Sequence, residues 1–141
     1  MQKMYRLDIA DAAAIIAGAR AKANELGVPM CIAVTDESGT LVAFERMDEA
    51  KTISVDVAID KAFTATGTRK GTHELGEASQ PGKPVYGLSS TLGGRMVVLA
   101  GGLPVEFKGQ VAGGVGISGG TAAEDLAVAQ AAIDAFPDLS D

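Results

Sequence analysis

His73 is the single histidine and Cys31 the single cysteine of this chain. A lone imidazole is the obvious candidate for a general base or an axial metal ligand. One His with one Cys does not make the three or four convergent ligands of a protein zinc site. His73 also has a plainer reading, as a solvated residue near the start of a short helix. Cys31 lies among Met30, Ile32, Ala33 and Val34 with no flanking cation to lower its thiol pKa. It is expected to pack as a small hydrophobe.

The stretch Ser118-Gly119-Gly120-Thr121 runs from an apolar segment into a helix start. Free backbone N–H groups at such a junction bind carboxylate or phosphate. Thr121 and Glu124 can instead satisfy those donors themselves, as a capping box. The spacing is neither a Walker loop nor a dinucleotide fingerprint. Gly101 and Gly102, with the glycines at 113, 114 and 116, are expected to leave backbone that a ligand can approach. Arg46, Lys61 and Arg95 are the cations of interest. Arg46 and Arg95 fall at strand edges, where a guanidinium can fork onto a carboxylate. Lys61 becomes a nucleophile only if it is desolvated. The alternative for all three is ion pairing with Asp56, Asp60 or Glu45. Glu124, like His73, is a candidate for moving protons.

These groups belong to 141 residues, enough for one domain (residues 1–141) that buries roughly two-thirds of its unfolded surface. Hydrophobic residues make up 47% and aromatic ones 4%, so the core is built from Ala, Val, Ile and Leu. The net charge of −6, with basic residues scattered, argues against nucleic acid as a partner. No run of about 20 apolar residues predicts a membrane span, and no apolar signal region follows Met1. With one cysteine no intramolecular disulfide can form, so a cytoplasmic location is expected.

Asp8 and Asp11 open a helix over 8–26 that Gly27 and Pro29 close. Residues 30–35 and 40–46 read as a hairpin around Asp36-Glu37-Ser38-Gly39. Val55, Ala58, Ile59, Ala62 and Phe63 mark a helix over 51–66, with a short one around 72–78. Residues 79–84 read as a loop. Arg95–Ala100, Leu103–Phe107 and Gln110–Ser118, linked by short Gly turns, predict an antiparallel meander. A capped helix from Thr121 follows, ended by Pro137. The expected fold is α/β (α+β), with a five-stranded antiparallel sheet flanked by helices.

Several ordered segments resemble the GlcG/HbpS family: Val34-Thr35-Asp36-Glu37-Ser38-Gly39, Ile59-Asp60-Lys61-Ala62-Phe63, Pro84-Val85-Tyr86-Gly87, Gly101-Gly102-Leu103-Pro104-Val105 and Val115-Gly116-Ile117-Ser118-Gly119-Gly120-Thr121. The resemblance covers residues 7 to about 135. It implies a profilin-like sheet-and-helix fold, a homo-oligomer, and kinship with haem-binding proteins and the C-terminal domain of PduO. The first functional reading is therefore a binder of a small organic ligand, haem or another tetrapyrrole. Its site is expected at Arg46, Lys61, Arg95, Gly101, Gly102 and Ser118–Gly120, with no metal bound by side-chain clusters. A second reading is a catabolic-pathway enzyme that hydrolyses or isomerises a small carboxylated intermediate. Arg46, Arg95 and Ser118–Thr121 would then hold carboxylates, and Glu124 or His73 would move protons. A third is a structural oligomer paired through the Ala-rich first helix.

Overall fold

The computed structural model describes residues 1–136. Helix α1 (Ile9–Leu26) begins at a reciprocal cap, Asp8 accepting from the Asp11 amide and Asp11 from that of Asp8. It ends where Gly27 turns left-handed at φ 71°. Strands β1 (Cys31–Asp36) and β2 (Leu41–Arg46) form the expected hairpin. At its turn the Asp36 carboxylate accepts from the Ser38 and Thr40 amides, and Gly39 has φ 80°. Helix α2 (Ser54–Thr68) and the short α3 (Thr72–Ala78) follow. Two single turns of 3₁₀ helix, Leu88–Ser90 and Leu92–Gly94, precede β3 (Gly102–Phe107). Strand β4 (Gln110–Ser118) then leads into α4 (Ala122–Asp134). Pro137, expected to stop that last helix, lies outside the described residues; the helix itself closes at Asp134.

The sheet has four strands in the order β2-β1-β4-β3, all antiparallel, and not the five expected. The segment that fails to pair is Arg95–Ala100. Its backbone groups find side-chain hydroxyls instead of a neighbouring strand. Thr64 Oγ1 accepts from the Val97 amide at 3.0 Å and donates to the Arg95 carbonyl at 3.2 Å. Thr72 Oγ1 donates to the Leu99 carbonyl and accepts from the Gly102 amide at 2.9 Å. Backbone pairing is obligatory when buried, but the partner need not be a strand. Strand β3 is thus one of the two sheet edges, which suits Pro104 within it.

Side chains alternate across the sheet and build two unlike layers. On one face Ile32, Val34, Val115 and Ile117 interdigitate with Ile15, Ile16 and Val128 of α1 and α4. On the other, Cys31 and Ala33 pack with Ala50 and with Ala58 and Ala62 of α2, flanked by Phe44, Val55 and Ile59. On β4, Ser118 stands opposite Cys31, Gly116 opposite Ala33 and Gly114 opposite Thr35. A Cβ on Gly116 would collide with the Ala58 carbonyl and reach within 2.6 Å of the Ala62 amide nitrogen. Gly114 and Gly116 therefore seat the α2 backbone directly on the sheet, while Gly113 faces Leu7 and the Thr35 carbonyl. The space beside all three is filled by described residues.

Candidate functional site

The seating of α2 carries Lys61 to the end of the sheet. Lys61 follows Ala58 by three positions on the buried face of its helix, and its side chain is 2% exposed. Its Nζ donates to the Ile117 carbonyl at 2.7 Å and to Asp125 Oδ2 at 3.0 Å. The other carboxylate oxygen of Asp125 accepts from the Gly120 amide at 2.8 Å. Asp125 lies in the first turn of α4, where a negative charge is favoured by the helix dipole. Burial pushes the Lys61 ammonium below its ordinary pKa of 10.5, and Asp125 offsets only part of that shift. Gly101, at φ 121°, closes over the pair: a Cβ there would stand 2.9 Å from Asp125 Cβ and 3.0 Å from Lys61 Nζ.

This ion pair forms one wall of a cleft of about 370 Å³. Ser118, Gly119, Gly120 and Ala122 make the floor at the start of α4; Ile53, Val57, Leu99 and Ala100 supply apolar walls, and Lys51 stands at the side. Ile53 and Leu99 are exposed around it. The helix start is only partly self-satisfied. Thr121 Oγ1 accepts from the Glu124 amide and Glu124 Oε1 from the Thr121 amide. Asp125 takes the Gly120 amide, and among the described residues the N–H groups of Ala122 and Ala123 have no protein acceptor.

The sequence-derived residues separate into groups. Lys61, Ser118, Gly119 and Gly120 line the cleft, while Gly101 and Gly102 pack behind Lys61. Arg46 lies elsewhere, in a hollow of about 570 Å³ with Arg20, Met47 and Asp48; Arg20 there is forked onto Glu45 at 2.7 Å. Arg95 stacks 3.7 Å over the Phe63 ring and donates to Asp60. Glu124 is taken up by the capping box. His73 borders a third hollow with Leu103 and Pro104, and its buried Nδ1 has no hydrogen-bond partner among the described residues. Cys31 is buried in the sheet, where desolvation raises its thiol pKa. Asp125, Lys51 and Leu99 were absent from the sequence-derived set. The one local signal for Asp125 was an acid in the first turn after a Gly-Gly junction.

Among the described residues no group of three or more His, Cys, Asp or Glu side chains could hold a metal ion. No described helix is long and apolar enough to cross a membrane.

The family described as "Haem degrading protein HbpS-like" matches residues 7–134. A 15.0 kDa protein from the dhaT-dhaS intergenic region of Citrobacter freundii is 41% identical over 138 residues, spanning 98% of this chain and 97% of that one. The crystal structure of Klebsiella pneumoniae protein ORFY superposes with a TM-score of 0.94 at 40% identity, covering 96% of this chain and 94% of the other. That of a PduOC:haem complex superposes with a TM-score of 0.89 at 38% identity, covering 92% and 94%. The motifs of strand, helix and Gly-rich junction that resembled GlcG/HbpS proteins are thus matched along almost the whole length, and the chain belongs to the HbpS-like family.

Proposed function

We propose that this protein binds a small organic ligand through its carboxylates, with haem or another tetrapyrrole as the first candidate. The observation that carries the reading is the cleft at the start of α4. It combines apolar walls with two uncapped helix N–H groups and a buried ammonium. Pockets of this kind hold an apolar body and fix it by a few convergent polar groups. A relative of the same fold is a haem complex, which supports the tetrapyrrole version.

The residues fit haem at one end only. Ala122 N–H, Ala123 N–H and Lys51 suit propionates, whereas no His, Cys, Met or Tyr lines the cleft. His73 is also poorly prepared as an axial ligand. A ligating imidazole donates its second N–H to a partner, and Nδ1 of His73 is buried with none. Anchoring through carboxylates and ring surface, without iron, is the arrangement the chain itself supports. Exposed Ile53 and Leu99 beside the cleft offer apolar surface for a second copy, in keeping with a homo-oligomer. The lone buried thiol suits a reducing, cytoplasmic setting.

Titration with haem and with iron-free protoporphyrin IX tests this reading. Both should saturate near one per chain, by Soret shift and by fluorescence, with affinities within about threefold of each other, under 1 kcal/mol. No spectral change at stoichiometric haem removes the tetrapyrrole version. Tight haem binding with no binding of the iron-free ring refutes anchoring through carboxylates.

A further inference from the structure

A desolvated lysine bonded to a single carboxylate on the wall of a small-molecule cleft is more than a strut. Replacing such a pair by apolar side chains often costs a fold nothing, so the pair calls for a chemical explanation. From its position beside Ser118 and the uncapped amides of α4 we infer that Lys61 captures a small oxo acid as an imine, with Asp125 moving the proton. The inference rests on the carboxylate-binding cleft proposed above and assigns it a reactive group. The acid's carboxylate occupies the Ala122 and Ala123 N–H groups, and its carbonyl carbon faces Lys61 Nζ.

The chemistry balances without any added reagent. Asp125 Oδ2, 3.0 Å away, takes one proton from the ammonium to leave the amine. The amine nitrogen attacks the carbonyl carbon and passes one of its own protons to the oxygen, so the C=O bond becomes the C–OH of a carbinolamine. Asp125 returns its proton to that hydroxyl, which leaves as water as the C=N bond forms. An ammonium and a ketone thus become an iminium and water, with charge unchanged. The Ile117 carbonyl keeps Nζ oriented from the opposite side at 2.7 Å. Burial favours the amine form that the attack requires. The chain's six other lysines, at 3, 22, 51, 70, 83 and 108, provide an internal comparison.

The test is reductive trapping of the full chain at neutral pH with pyruvate and cyanoborohydride, read by peptide mass mapping. Amide chemical shifts with pyruvate alone are followed in parallel. The expected result is a secondary amine at Lys61, formed on the order of tenfold faster than at any other lysine, about 1.4 kcal/mol off the barrier. Asp125→Asn should slow labelling while shifts at Gly119–Ala123 persist, and Lys61→Met should abolish labelling at that peptide. Shifts at Gly119–Ala123 without trapping at Lys61 overturn the imine and leave the binding cleft standing. Neither shifts nor trapping overturns the imine and argues against the carboxylate cleft as well. Labelling spread over the other lysines with Lys61 unmodified overturns the proposal outright.

Discussion

Placing a methyl group on Gly116 tests how α2 rests on the sheet. The added Cβ would meet the carbonyl of Ala58 and the amide nitrogen of Ala62, both main-chain atoms in the middle of a helix. Neither can rotate away, so the whole helix must lift. Overpacking of this kind costs about 3 kcal/mol at the upper end of its usual range. Loss of glycine freedom in the unfolded chain returns up to about 1 kcal/mol, leaving a net loss of about 2 kcal/mol. For a chain of this size that lowers Tm by roughly 8 °C. Gly67, on the same helix, has nothing within 4 Å of a Cβ position and is the matched control. Gly67→Ala should stabilise by about 0.5 kcal/mol, because alanine suits a helix better. Thermal and urea unfolding followed by circular dichroism measure both. Equal midpoints for Gly116→Ala and wild type would refute the direct seating of helix on strand.

Other expectations concern the buried pair and the hydroxyl bridges. Lys61→Met leaves Asp125 buried and uncompensated, and should cost about 3–5 kcal/mol in urea unfolding; adding Asp125→Leu should recover at least half of it. Because the Lys61 pKa is lowered on folding, the unfolded chain binds more protons below 10.5. Its contribution is therefore least favourable below the folded pKa, and stability should rise as pH climbs from there towards 10.5. The rise should be absent from Lys61→Met, by unfolding midpoints across pH 7–10. Thr72→Val removes the hydroxyl that serves both Leu99 and Gly102, and should lower stability by about 2–3 kcal/mol on urea unfolding.

Much of this architecture is legible in local chemistry. The reciprocal caps at Asp8/Asp11 and Thr121/Glu124, the left-handed Gly27 and the Asp36–Gly39 turn are short-range features, and each appears where its residues imply. Arg95–Ala100 was misread because an apolar β-type run does not reveal what satisfies its amides. Threonines some 30 positions away do so here. The glycines of β4 announce missing side chains, but not whether a ligand or a helix takes the space. Lys61 illustrates the same limit for charge. The ion pairing expected with Asp56, Asp60 or Glu45 holds for Arg95, which meets Asp60, whereas Glu45 pairs with Arg20 and Lys61 reaches Asp125 across 64 positions. The site is therefore a product of topology, which brings the end of β4 to the flank of α2.

One wall of the cleft, Leu99 and Ala100, lies in the connection between α3 and β3, where Arg95–Ala100 joins no strand ladder. Held by two threonine hydroxyls, that connection should open as a unit of its own, well below the free energy of global unfolding. Its amides should then exchange with deuterium ahead of those in β1. For a guest too broad for the resting aperture, entry waits on this breathing, so observed association rates should level off with concentration where a rigid mouth would let them climb.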